Sequence, residues 1–292
     1  MIALRSQSWI GCETRSQRTG EVFNPLLDRY VALRFLGRLA RSTYSDQYLL
    51  KGATMFLLWL GEMHRTTRDI DLLGILSLDE QKLATMMHEI ITLDDETDGV
   101  AFEPDSLTLR PIMEQQSNIG IRVNVTGYIG KARVPLQIDI GYGDAVTPAP
   151  ASILLPGLIR GVAAMEMWGY AVETAFAEKF EAMVGLGIQN SRMKDFFDLA
   201  TIIRSVPVRV QALEAAIEAT FARRGRSIPR GLPLALTAEF YEDKQVLVRW
   251  NSFSKKNRLE SPLDDLTFVC SQIAEFIAPV LASTTVGQID RE

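Results

Sequence analysis

Histidine and cysteine are scarce in this chain: His64 and His88, Cys12 and Cys270 are all there are among 292 residues. Two distant cysteines build neither a disulfide framework nor a thiolate zinc site, and they fit a reducing compartment. Two histidines leave little for a His-rich metal centre or for Ser-His-Asp chemistry. Positive charge is not in excess either. Lys and Arg number 31 against 36 Asp and Glu, a formal net charge of -5. That balance excludes coating of nucleic acid by bulk charge and leaves only a local basic groove. No apolar run reaches the ~20 residues of a bilayer span. The N-terminal Met1-Ile2-Ala3-Leu4-Arg5-Ser6-Gln7 lacks the apolar core of a signal peptide. Hydrophobic residues, at 47%, are ample for a sizeable core in one large or two ordinary domains. The expectation is a soluble cytoplasmic protein, with no membrane partner, whose chemistry rests on Asp, Glu, Lys and Arg.

Residues 1–20 are polar and aperiodic and read as a loose arm, taken to end at 23. Asn24 as cap and Pro25 at the first helical position open a helix. Leu26, Leu27, Tyr30, Leu33 and Leu36 carry it at helical spacing to about Arg41. Its Arg29, Arg34, Arg38 and Arg41 read as a solvated face. Tyr48 to Lys51 is a short strand ending in a Gly52 turn, followed by a buried helix, Met55 to Leu60. Asp69 to Leu72 is a second short strand. A helix runs from Leu78 to about Leu93, with Ser77 as its cap. Residues 94–105 carry six acids and read as a loop around one short strand.

Ile119–Ile129 and Val134–Ile140 alternate on either side of Gly130, an antiparallel hairpin. Beyond Pro148, Pro150 and Pro156 the texture turns helical: Val172–Leu186, Lys194–Arg204, Val210–Ala222 and Leu263–Leu281. The fold class expected is α+β: a mixed sheet flanked by helices over 24–160, then a mostly helical domain over 161–292.

The strongest local feature is Arg65-Thr66-Thr67-Arg68-Asp69-Ile70-Asp71-Leu72. Residues i and i+2 of a strand share a face. Asp69 and Asp71 therefore present two carboxylates side by side, with Ile70 and Leu72 buried behind them. Adjacent carboxylates repel unless a cation lies between them, and Mg²⁺ favours carboxylate, water and phosphate oxygens. Read alone, Asp-x-Asp is equally two solvated acids. Asp139, between Ile138 and Ile140, points off the core face. If its strand lies beside Asp69–Asp71, three carboxylates converge in the manner of a two-metal phosphoryl-transfer site.

Upstream, Lys51-Gly52-Ala53-Thr54 is a strand-to-helix turn that suits a triphosphate, though taken alone it reads as an ordinary turn. Downstream, Lys179 on an apolar helix either reaches a phosphate or snorkels to solvent. Asp195 and Asp198 share a helix face, behind Ser191 as a possible cap and Arg192.

In this order, Leu-Lys-Gly-Ala-Thr, Arg-Thr-Thr-Arg-Asp-Ile-Asp-Leu, Ile-Asp-Ile-Gly, Ala-Glu-Lys and Ser-Arg-Met-Lys-Asp-Phe-Phe-Asp-Leu resemble the AbiEii/AbiGii toxin family. That family and the related MenT toxins are nucleotidyltransferases of the DNA polymerase β superfamily. The resemblance covers roughly residues 24–260, where the Phe221–Gly225 and Trp250–Phe253 regions also agree. It implies a nucleotidyltransferase-type sheet. It implies metal binding by Asp69, Asp71 and Asp139, with Mg²⁺ or Mn²⁺. Catalytic roles fall on these three acids, on Lys179 and on Asp195. Nucleotide contacts fall on Lys51, Gly52, Ala53, Thr67, Lys179 and Arg192. Relatives usually carry a second glycine where this chain has Ala53, and alanine keeps the turn if its φ is negative.

The activity implied is transfer of an NMP from an NTP to an RNA, tRNA above all, in the toxin half of a toxin–antitoxin or abortive-infection pair. The implied partner is a winged-helix antitoxin. Arg223, Arg224, Arg226, Arg230, Arg249, Lys255, Lys256 and Arg258, with Trp250 and Phe253 for stacking, are candidates for an RNA groove; taken singly, each reads equally as a surface cation or a core aromatic. The competing readings are a kinase-like phosphotransferase on the same fold and a non-catalytic partner-binding module.

Overall fold

The computed structural model of the chain describes residues 2–65, 67–77, 79–93, 98–114 and 118–289, and side chains only within 7–112 and 120–283 of these. The chain divides into two compact units, Met1–Gly143 with Ala151–Gly169, and Asp144–Pro150 with Tyr170–Glu292. The break expected near residue 160 thus falls inside the first unit, between two paired strands.

The first unit holds α1 (Ile2–Thr19), α2 (Phe23–Arg41), β1 (Tyr48–Lys51), α3 (Thr54–Leu60), β2 (Asp69–Gly74) and α4 (Glu80–Thr92), then β3 (Val100–Glu114), β4 (Asn118–Ile129), β5 (Ala132–Tyr142), β6 (Ala151–Leu155) and β7 (Met165–Gly169). The seven strands form one sheet in the order β3-β4-β5-β2-β1-β7-β6. It is mixed, as expected: β2 runs parallel to β5 and β1 to β7, while the other neighbours are antiparallel. Ile70, Leu72, Val123, Val125, Ile138 and Ile140 supply the core side of the central strands. Helix α2 packs across β4, β5 and β7. The pleat then sends Asp69, Asp71 and Asp139 to the opposite face.

Five expectations change here. Residues 2–19 form a helix that packs on α2, burying Cys12 and setting Trp9 edge-on to Phe23 at 4.8 Å. Helix α2 starts two residues early, at Phe23 after Val22, so Asn24 is not its cap. Its arginines are not all solvated: Arg34 and Arg38 are buried, because α1, α4 and the sheet together surround the helix. Arg38 is stabilised there by Asp98 at 2.7 Å and by the carbonyls of Leu93 and Val100. Much of the acidic stretch is strand: β3 carries Glu103 and Asp105 on the sheet's edge, where Pro104 and Pro111 are tolerated. Residues 94–97 of that stretch, and Leu78 at the start of the expected fourth helix, lie outside the described residues. Asp79, not Ser77, caps α4 through the Lys82 amide.

The second unit contains α5 (Val172–Leu186), α6 (Met193–Ser205), α7 (Val210–Arg223), the single turn α8 (Ala238–Tyr241), α9 (Lys244–Asn257) and α10 (Leu266–Ile289). Helix α5 packs on α6 and α7, and α10 on the same two. Residues 266–283 are long and apolar enough to cross a membrane by length and composition. Their buried side chains, Leu266, Val269, Cys270, Ile273, Ile277 and Val280, lie at helical spacing along one stripe, the pattern of a core helix.

Candidate active site

Parallel pairing of β2 with β5 sets Asp69 opposite Gln137 and Asp71 opposite Asp139. Antiparallel pairing on the other side sets Lys51 opposite Asp71. The three acids therefore occupy one face of two adjacent strands, with Lys51 beside them on a third. Asp69 and Asp71 are half-buried, and Asp139 is 8% exposed.

Gly52 closes β1 with φ +71. A methyl group built on it would lie 2.6 Å from Cγ of Asp71 and overlap its Oδ2. Only glycine permits that backbone angle without strain, and only a residue without Cβ leaves room for the carboxylate. Ala53 follows with φ -68, so alanine adopts the turn unstrained in place of a second glycine. The turn leads into α3, where the amides of Met55 and Phe56 donate to the carbonyls of Gly52 and Ala53 at 3.3 and 3.1 Å. Thr67 is half-buried just ahead of β2; Thr66 lies outside the described residues.

Sequence reasoning missed one residue of this face. Arg122 on β4 is the register partner of Asp139. Its Nε donates to Oδ1 and its Nη2 to Oδ2, both at 2.8 Å. The amide of Gln137 also reaches Oδ2, at 3.4 Å. The hydrogen bond to Asp139 raises the Arg122 pKa, burial opposes this, and the charges of Asp139, Asp69 and Asp71 raise it further. An arginine in an alternating strand looks like a solvent-facing residue, and nothing local links it to an acid 17 residues away.

The donor chemistry fits a hard divalent cation: carboxylate oxygens from alternate residues of one strand and from its neighbour. The acids do not form a ready-made cage, however. Among the described residues no three Asp, Glu, His or Cys side chains converge on one point. Asp69 and Asp71 are the residues that would hold the ion first, and Asp139 is bound up with Arg122.

The second unit brings together Lys179, Asp195 and Arg192. Lys179 Nζ lies 2.7 Å from Asp198 Oδ2 and 3.2 Å from Asp195 Oδ1, and Arg192 Nε lies 2.7 Å from Asp195 Oδ2. Both carboxylates are fully buried, and the Lys179 side chain is 11% exposed. Lys179 is therefore an interior ion-pair residue, not a snorkelling one, and Asp198 is a partner whose role sequence reasoning passed over. Ser191 does not cap α6; Arg192 precedes the helix, and Asn190 Oδ1 accepts from its amide at 2.8 Å.

Of the residues proposed for an RNA groove, several are committed internally. Arg224 pairs with Asp144 and Arg226 with Glu181, each at 2.8 Å, and Arg249 donates to the Asn190 carbonyl at 3.3 Å. Trp250 is 1% exposed, its indole N–H donating to the Asp264 carbonyl at 2.6 Å, and Phe253 packs on Phe197 and Trp250. Trp250 is thus a core residue and not a stacking platform. Lys255, Lys256 and Arg258 are exposed at the end of α9.

Among curated proteins none matches the chain. The fold is similar to the crystal structure of JHP933 from Helicobacter pylori, with a TM-score of 0.50 and 14% identity over 91% of this chain and 97% of that one. A second H. pylori chain, described as a candidate nucleotidyltransferase, is similar with a TM-score of 0.47 and 13% identity, over 90% of this chain and 94% of that one. The sequence model of the nucleotidyl transferase AbiEii toxin, type IV TA system, matches residues 34–272, a span that takes in every site residue named above. The chain therefore belongs to the AbiEii family, the nucleotidyl transferase toxins of type IV toxin–antitoxin systems.

Proposed function

We propose that this toxin moves an NMP from an NTP to a hydroxyl of RNA, with the 3′ end of tRNA as the acceptor. The observation that carries the reading is the fit of Gly52 to Asp71: a turn shaped for phosphate, closed directly onto an acid of the Asp-x-Asp pair. The acceptor oxygen attacks the α-phosphorus, the bond from that phosphorus to the bridging oxygen breaks, and pyrophosphate leaves. Asp139 takes the hydroxyl proton. The Gly52–Ala53 turn, with Thr67 and Lys51, orients the triphosphate. Lys179 and Arg192 contribute phosphate contacts, and Asp195 orients both. Mg²⁺, or Mn²⁺, bound by Asp69, Asp71 and Asp139 would supply charge neutralisation for the phosphates. The family implies an antitoxin; we take it to be a winged-helix protein, and the cytoplasm, where NTP and RNA meet, to be the site of action.

An assay with α- and γ-labelled NTP and total bacterial RNA decides this. Label passing from the α position to RNA, in the wild type but not in Asp69→Asn or Asp71→Asn, is the expected result. Label passing from γ instead identifies a phosphotransferase. No transfer of either label, from a folded chain with Mg²⁺ present, identifies a binding module.

A further inference from the structure

Asp139 is the least available of the three acids. A carboxylate offers about four lone-pair directions. Two of those on Asp139 face the Arg122 fork at 2.8 Å, and a third faces the Gln137 amide at 3.4 Å. The Arg122 side chain is 38% exposed and that of Asp139 12%, so the pair is partly shielded from water. The guanidinium also feels the charges of Asp69 and Asp71. Arg122 thus places a fixed positive charge beside the acids on the β4 side, as Lys51 does on the β1 side.

We propose that Arg122 is a resident counter-cation that competes with the divalent metal for Asp139. This positioning residue holds the third carboxylate in the metal-free enzyme and gives up at least one oxygen before that carboxylate ligates an ion. The inference rests on the metal reading given under Proposed function. Its geometry has two consequences. Without Arg122, Asp139 is free to ligate, so a metal ion alone should bind the acid face more tightly. With lysine in its place, one charge remains but the two-pronged grip is lost, so the effect should be intermediate.

The test titrates Mn²⁺ alone, without nucleotide, into the full chain and follows free ion by electron paramagnetic resonance. Wild type, Arg122→Met, Arg122→Lys and Asp71→Asn are compared, with circular dichroism to establish folding. Arg122→Met should bind Mn²⁺ more tightly by about tenfold or more, equivalent to roughly 1.4 kcal/mol. Adding Asp139→Asn to Arg122→Met should erase that gain, which a merely structural role for the arginine does not predict. Equal or weaker Mn²⁺ binding by folded Arg122→Met, alongside wild-type binding that Asp71→Asn removes, overturns this inference and leaves the metal reading intact. If no variant shows Mn²⁺ binding that depends on Asp71, the metal reading falls and this inference falls with it. Should Arg122→Met not fold, Arg122→Lys decides: tighter binding than wild type supports the competition, and equal or weaker binding overturns it.

Discussion

The carboxylate of Asp71 occupies the space that a side chain on Gly52 would need. Its Cγ would lie 2.6 Å from a Cβ at position 52, where φ is +71. Gly52→Ala therefore suffers twice, from a left-handed backbone angle worth about 1–2 kcal/mol and from displacement of Asp71. A shift of about 1 Å in a reacting group can cost ~100-fold in rate. The expected outcome is a modest fall in Tm with at least that loss of NMP transfer. Ala53→Gly, at a position whose φ is already negative, serves as the control and should keep its activity. Near-normal transfer by a folded Gly52→Ala would show that Asp71 does not need this position.

The motifs were legible because their physics is local. Alternation marked β2 and the β4–β5 hairpin, helical spacing marked α5, α6 and α7, and a single glycine marked the turn. Edge strands were harder to see. β3 carries two prolines and several acids, which an edge tolerates, and β6 and β7 are short and follow a run of prolines. Charged residues inside the fold were hardest. Arg34, Arg38, Lys179, Asp195 and Asp198 all look like surface residues in sequence, and all have their environments set by distant elements. The grip of Arg122 on Asp139 depends on register between two strands, which no single segment encodes.

Glu181 on α5 is 1% exposed. Arg226 Nε lies 2.8 Å from its Oε1. Burial raises the Glu181 pKa, and the charges of Arg226, Arg224 and Arg192, with a hydrogen bond from Arg226, offset this only in part. The folded protein thus holds this proton more tightly than the unfolded chain. The stability gained by protonation is fully present below the unfolded value of about 4.3 and is lost as pH rises through the folded value. Glu181→Gln should therefore raise Tm at about pH 7.5, and the advantage should fade towards pH 4. Paired thermal melts across that range check it. A variant less stable than wild type at the upper pH would show that the Arg226 pair outweighs burial.

Burial of Trp250 separates folding from RNA contact on α9. Trp250→Ala should cost about 3–5 kcal/mol of stability. Replacing the exposed cations at the end of that helix should cost far less. Arg258 adopts φ 54 at the helix C-terminus, which asparagine also tolerates. The triple variant Lys255→Gln, Lys256→Gln, Arg258→Asn should keep its fold, bind RNA several-fold more weakly, and show a shallower salt dependence by about 0.7 per lost phosphate contact. Filter binding at a series of salt concentrations measures the slope. An unchanged slope removes α9 from the RNA surface.

One substitution cannot separate the ion pairs of Lys179 from its proposed phosphate contact. It lies 2.7 Å from Asp198 and 3.2 Å from Asp195, both fully buried. Lys179→Ala withdraws the positive charge from beside two interior carboxylates, and breaking such a pair costs about 3–5 kcal/mol. A sharp drop in Tm is expected, so lost activity in this variant alone says nothing about phosphate. The double variant Lys179→Met, Asp198→Asn removes one charge of each sign and keeps the volume nearly constant. It should recover most of the stability, because the remaining Asp195 still has Arg192 at 2.7 Å. If Lys179 also contacts the nucleotide, transfer should stay depressed by roughly tenfold to a hundredfold at ~1.4 kcal/mol per decade, even where the chain is fully folded. Melts and α-label transfer, measured on the same preparations below the melting range, distinguish the cases. Activity that returns together with stability would confine Lys179 to the interior of the helical unit and leave the phosphate contact to other residues.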